Sequence, residues 1–203
     1  MAMSAIIFDL GGVVCRYQPE LRLQELARIY GRAPEDVRRV LYESGFIGET
    51  ELGYWNAEQI VAEVDARLGH PVDRAELERA WLASFQVDEE VLELVGRTAA
   101  RHRTAIFTNN DLLLREALLR TRPELRERFD DIVFSAEVHA VKPSAESFRR
   151  ALSVMKADPS EVLFVDDSDT NVASALHVGI PAVHFQSAQQ LATELKKFRL
   201  LDS

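Results

Sequence analysis

Between Pro19 and Phe85, apolar residues recur at helical spacing. Leu21, Leu26, Ile29 and Tyr30 make a stripe that starts after Pro19, a residue suited to a first helical turn, and stops at Gly31. A second segment runs from Pro34 to Glu43, carries Val37, Val40 and Leu41, and ends at Gly45. Asn56 and Gln59 have the spacing of a capping box for a third helix, in which Ile60, Val61, Val64 and Leu68 precede Gly69. Asp73 and Glu76 open a fourth, with Leu77, Trp81 and Phe85 on its apolar side. No strand pattern interrupts this stretch. It reads as a small helical unit, with "GETELGYWN" (48–56) as a loop inside it.

The pattern on either side is different. Ala5–Phe8, Thr104–Phe107, Asp131–Phe134, Glu161–Val165 and Ala182–Phe185 are short runs rich in Ile, Val and Phe. Helical spacing separates the later ones, over Leu112–Arg120, Ser144–Met155 and Asn171–Val178, with a last helix over Ala188–Phe198. Such alternation predicts an α/β fold: a mainly parallel sheet with right-handed crossovers and helices on both faces. The expected organisation is a Rossmann-like core built from residues 1–16 and 87–203, interrupted by a helical unit at 17–86.

Composition narrows the function. At 203 residues and 47% hydrophobic, the chain can bury a sizeable core. A formal charge of −9 argues against a nucleic-acid partner. No run approaches the roughly 20 apolar residues of a membrane span. The first apolar run is cut by Asp9, and no basic segment precedes it as in a signal peptide. With Cys15 the single cysteine, no internal disulfide can form, so a cytoplasmic location is expected. Oligomeric state is left open.

The candidate chemistry lies at strand ends, where open parallel sheets bind ligands. Phe8 leads into Asp9, Phe107 into Thr108-Asn109-Asn110, and Val165 into Asp166-Asp167; Lys142 stands just before Pro143 and a helix start. One rim would therefore gather carboxylates, a hydroxyl, amides and an ammonium. These groups suit phosphoryl transfer. A carboxylate can attack phosphorus and divide one difficult step into two. Clustered acids need a cation, and hard oxygen ligands suit Mg²⁺. Thr, Asn and Lys side chains can hold the remaining phosphoryl oxygens.

Four motifs in order, "FDLGGVV", "IFTNN", "AVKPSAESF" and "VLFVDDSDTNV", resemble those of the haloacid dehalogenase (HAD) superfamily over nearly the whole chain. The helical insertion after the first is similar to that family's small helical cap. "DLGG" with "KP…F" and "DD…N" is most similar to the subgroup of α-D-glucose-1-phosphate phosphatase and the phosphatase domain of soluble epoxide hydrolase. The resemblance implies a Mg²⁺-dependent phosphatase of a small phosphorylated metabolite, a sugar phosphate among the candidates, working through an aspartyl-phosphate. Position by position, it implies Asp9 as nucleophile and metal ligand. The Gly11 carbonyl and Asp167 would be further ligands, with Asp166 in or beside the shell. Thr108 and Asn109 would bind the phosphoryl group, Lys142 would pair with it and with Asp9, and Asn171 would order the metal loop.

The chain departs from the family at one position. Most family phosphatases carry an Asp two residues after the nucleophile as general acid and base; here that residue is Gly11. A positioned acid–base group contributes about 10²–10⁴-fold. Two alternatives therefore stand beside the phosphatase: a 2-haloacid dehalogenase, which also lacks that Asp but needs no metal, and a weak or silent phosphate-binding protein. His139, near Lys142, is a candidate substitute as well as an ordinary surface histidine. Arg16 and Tyr17, where the chain leaves the core for the insertion, either contact substrate or pack; Tyr54 and Trp55 are further candidate substrate contacts, and Glu49 or Glu51 candidates for bonding hydroxyls. For Trp55, core packing is the competing reading.

Overall fold

Seven strands are present among the described residues: β1 (Ala5–Phe8), β2 (Cys15–Tyr17), β3 (Phe85–Val87), β4 (Arg103–Thr108), β5 (Asp131–Phe134), β6 (Val162–Asp166) and β7 (Ala182–His184). The computed structural model describes residues 3–202; Met1, Ala2 and Ser203, at the outer ends of the expected core segments, lie outside the described residues. Five strands form one parallel sheet in the order β5-β4-β1-β6-β7. The chain adds β4 and β5 on one side of β1, then crosses back to add β6 and β7 on the other. β1 is thus the switch point of a Rossmann-like core.

Side chains alternate across this sheet, as a two-residue period requires. Ile6, Phe8, Ile106, Leu163 and Val165 enter one hydrophobic cluster. Ala5, Ile7, Ala105, Phe107, Val162 and Phe164 enter the other, against Phe148 and Met155 of the helix Ala145–Met155. With both faces covered, the central strands are mainly apolar. Apart from Arg103 and Thr104 at the start of β4, their polar residues stand at the strand ends. Phe8 pairs in register with Ile106 and Val165, so the next residues at that level are Asp9, Phe107 and Asp166.

The helical insertion lies between β2 and β3, which pair antiparallel through Cys15–Val87 and Tyr17–Phe85. This corrects the reading of Phe85 as helical: the helix Arg74–Leu82 ends three residues earlier and Phe85 opens β3. The cross-strand contact of the Tyr17 and Phe85 rings, 5.1 Å between centroids, outweighs the helical spacing. Part of "GETELGYWN" is helical as well, within Phe46–Glu51. On the helix Pro19–Tyr30, the buried face holds Leu23, Leu26, Ala27 and Tyr30, whereas Leu21 is exposed. Pro34–Glu43 begins as α-helix and continues as π-helix from Arg38. The Asn56–Gln59 capping box and the Asp73 cap form as expected. Helices at Glu89–Ala99, Pro123–Arg128 and Ser135–Val138 add to those expected.

The insertion and the core share one hydrophobic cluster, which runs from Leu10, Val13 and Val14 into Leu23, Leu77 and Trp81. Polar contacts fasten the two together. The Trp81 indole N–H donates to Asp111 at 2.9 Å in a buried setting, Arg74 reaches Glu116 at 3.0 Å, and Arg120 pairs with Glu78. Among the described residues, no helix is long and apolar enough to cross a membrane.

Candidate active site

Lys142 links two strand tips. Its Nζ lies 3.0 Å from Asp9 Oδ1 and 2.7 Å from Asp166 Oδ2, with essentially no solvent exposure of the ammonium. The rings of Phe107 and Phe164 stand 5.5 and 5.4 Å from it, so it sits in an apolar sleeve closed by carboxylates. A buried ammonium survives only if paired, and here it is paired twice. Asn109 holds the Lys142 backbone at both groups: its side-chain N–H donates to the Lys142 carbonyl at 2.8 Å, and its Oδ1 accepts from the Lys142 N–H at 2.8 Å.

Asp9 accepts from the Leu10 N–H at 2.7 Å. Burial pushes its carboxyl above the usual range, Lys142 opposes that rise, and Asp166 adds to it. Asp166 is wholly buried and fully engaged: Oδ1 accepts from the Ser168 N–H and from Asn171, Oδ2 from Lys142 and Asn171. Asn171 thus orders the loop through Asp166. Asp167 is exposed at the same rim, its carboxyl also raised, first by partial burial and then by Asp166. Oxygens of Asp9, Asp166 and Asp167 lie within 4.8 Å of one another.

Such a donor set fits a hard divalent cation. Three carboxylates converge against their mutual repulsion, and a single ammonium offsets only part of it. Asp166 is already engaged by Lys142 and Asn171, and Asp9 and Asp167 are the other two carboxylates of the cluster. Gly12 makes the arrangement possible. At φ +85°, a Cβ on it would fall 2.1 Å from Asp167 Oδ2.

A cavity of about 250 Å³ opens from this rim, and its lining includes Asp9, Gly11, Tyr17, Glu51, Thr108 and Lys142, with Phe85 and Asn109. Thr108 is buried, and its hydroxyl accepts from Asn110 at 2.7 Å. A Cβ on Gly11 would meet the Phe85 ring at 3.3 Å and Tyr17 Cγ at 3.5 Å. The space beside that position is filled by aromatic rings.

Of the sequence candidates, Asp9, Gly11, Thr108, Asn109, Lys142, Asp166 and Asp167 come together at this rim. Arg16, Tyr54 and Trp55 do not line the cavity. Arg16 pairs with Asp88 on the surface at 3.0 Å. Tyr54 is 68% exposed. Trp55 packs edge-on against Phe46 and donates to Glu49 at 3.1 Å. His139 is exposed, with Nδ1 3.1 Å from the Leu52 carbonyl. Tyr17, a candidate substrate contact from the sequence, does line the cavity. Phe85 was not singled out as a cavity residue; an aromatic on each side of an inserted unit is the signal that marks it.

A model of the haloacid dehalogenase-like hydrolases matches residues 3–179. The chain belongs to this family. As a HAD-like chain, it is a hydrolase. It is 27% identical to D-ribitol-5-phosphate phosphatase of Bacteroides thetaiotaomicron over 184 residues, 86% of this chain and 85% of that protein. With the phosphorylated carbohydrates phosphatase of Thermotoga maritima it shares 28% identity over 191 residues, 90% and 84% of the two chains. Among solved structures, the HAD family enzyme bt-2542 from Bacteroides thetaiotaomicron superposes with a TM-score of 0.82 at 17% identity, over 96% of this chain and 99% of that one. At that identity the likeness concerns the HAD fold.

Proposed function

We propose that this HAD-like hydrolase is a Mg²⁺-dependent phosphatase of small phosphorylated carbohydrates, working through an aspartyl-phosphate. The observation that carries the reading is the convergence of Asp9, Asp166 and Asp167 within 4.8 Å around Lys142, beside a cavity of small-molecule size. Relatives named for phosphorylated polyols and carbohydrates, matched along most of their length, support the substrate class. A lone buried Cys15 suits a reducing cytoplasm.

In this reading an Asp9 oxygen attacks phosphorus while Lys142 and the Thr108 and Asn109 groups hold the phosphoryl oxygens. Lys142 also keeps Asp9 ionised against its burial. Mg²⁺ at Asp9, Asp167 and the Gly11 carbonyl would supply charge neutralisation to the phosphoryl group. Water then releases phosphate and restores Asp9. The acidic cluster supports this reading over a metal-free dehalogenase.

The test is phosphate release from a panel of pentose, hexose and polyol phosphates, with Mg²⁺ and with EDTA, for the wild type and Asp9→Asn. Metal-dependent release abolished by the substitution is expected. Folded protein that turns over none of the panel, or an Asp9→Asn variant as active as wild type, overturns the reading. One feature favours a second reading, a silent phosphate-binding protein: the space beside Gly11 is closed by Tyr17 and Phe85. Beryllofluoride trapping decides between them, since a silent pocket forms no adduct on Asp9.

A further inference from the structure

The phosphatase reading lacks a proton donor. An alkoxide expelled from phosphorus needs a proton, and the usual residue is replaced by Gly11, with no room prepared beside it. The substitute must line the cavity and must not already be committed. Asp9 is the nucleophile, and Lys142 is held between Asp9 and Asp166. The titratable side chains left on the cavity wall are Tyr17 and Glu51.

Glu51 comes from the insertion, on the last turn of the helix Phe46–Glu51, yet the core fixes its place. Ser135 Oγ donates to the Glu51 carbonyl at 2.7 Å, and His139 Nδ1 lies 3.1 Å from the next carbonyl, Leu52. Gly53, at φ +75°, lets this chain press against the core: a Cβ there would fall 2.1 Å from the Ala136 carbonyl oxygen. The helix end is therefore docked against the core, and Glu51 lines the cavity.

We propose that Glu51 is the general acid and base that replaces the residue missing at Gly11. This rests on the phosphatase reading and assigns it a catalytic residue. In the first step Asp9 bonds to phosphorus, the phosphorus–oxygen bond to the leaving group breaks, and that oxygen takes the Glu51 proton. In the second, water attacks phosphorus and gives a proton to the Glu51 carboxylate. The bond to Asp9 breaks, phosphate departs, and both carboxyls return to their starting states.

The surroundings of Glu51 suit the task. Burial, the largest influence, and the Asp111 carboxylate raise its carboxyl, the Arg22 guanidinium lowers it, and the outcome is about 7. Near that value an acid is both present in its protonated form and willing to give the proton up. Arg22 is itself immobilised, stacked 4.9 Å from the Trp81 ring centroid and 5.6 Å from that of Phe85, and donating to the Trp81 carbonyl at 2.9 Å. The Tyr17 phenol, the other group on this side of the cavity, is raised by burial and stays neutral.

Leaving-group dependence tests the proposal. Full-length wild type and Glu51→Gln, saturated with Mg²⁺, are compared on p-nitrophenyl phosphate, whose leaving group needs little protonation, and on phenyl phosphate, of similar shape and a more basic leaving group. The expected result is a loss of kcat of about 10²-fold or more on phenyl phosphate, under about tenfold on p-nitrophenyl phosphate. The fall of wild-type kcat above about pH 7 should flatten in the variant. Equal losses on both substrates, or a change confined to KM, would assign Glu51 to binding or structure and overturn the proposal. Glu51→Asp, retaining a carboxyl, should keep the shape of the pH profile, and it serves if the Gln variant fails to fold. Wild type inactive on both aryl phosphates and on the carbohydrate panel would instead remove the phosphatase reading itself.

Discussion

Lys142 Nζ and Asp166 Oδ2 stand 2.7 Å apart, and neither side chain meets solvent. The pair joins the loop after β5 to the tip of β6, and the same ammonium reaches Asp9 at the tip of β1. Removing one partner of such a set leaves the others charged and uncompensated. Lys142→Met is therefore expected to cost about 3–5 kcal/mol of stability in EDTA, with Mg²⁺ recovering part of it. Urea denaturation with and without metal checks this. A loss below about 1 kcal/mol would show that solvent reaches the pair after all.

Glu51 gives a pH dependence with a defined sign. Its carboxyl titrates near 7 in the folded protein and near 4.5 in the unfolded chain, so between these values the folded state binds more protons. Stability therefore falls as pH rises through that window, by an amount on the order of 3 kcal/mol. Glu51→Gln removes this cost. The variant should match wild type near pH 4.5 and exceed it at pH 8, even as its activity drops. Denaturation curves at the two pH values, in EDTA, decide the matter, and an equal difference at both would contradict the assignment.

Gly12→Ala should act on the metal site with little effect elsewhere. Its Cβ would collide with Asp167 Oδ2, and φ +85° adds about 1–2 kcal/mol of backbone strain for any side chain. The expected outcome is at least a tenfold weaker Mg²⁺ affinity in calorimetric titration. Unchanged affinity would mean that Asp167 is not a ligand.

Trp81→Phe probes the seam between insertion and core. The indole N–H is the donor to Asp111 Oδ2, both groups being buried, and the loss leaves a carboxylate oxygen unsatisfied. A cost of about 1–3 kcal/mol is expected from chemical denaturation. Asp111 also faces Glu51, so a shifted pH profile should accompany the loss.

The sheet was legible because its strands are short, apolar and separated by helical spacing, and the burial of both faces enforces that composition. The rim was legible because acids, amides and a hydroxyl directly follow those strands. β2 and β3 were not. Three residues with one buried side chain carry little pattern, and Phe85 fits a helical stripe equally well until its partner Tyr17 is known. The helix Glu89–Ala99 left a readable sign, Asp88 capping ahead of Val91, Leu92, Leu94 and Val95.

The order of apolar runs and the acids that end them determined, from the chain alone, an α/β core and a rim rich in carboxylates, because local spacing dictates both which face is buried and what each strand leads into. Only the tertiary structure decided how those acids differ in surroundings, with Asp166 engaged by Lys142 and Asn171, Asp9 buried against the same Lys142, and Asp167 exposed at the rim. It also decided that Glu51, rather than Tyr54 or Trp55, lines the cavity. Residues far apart in the chain meet there through a seam made of single contacts, such as Ser135 to the Glu51 carbonyl, 84 positions away, and no periodicity along the chain records such contacts.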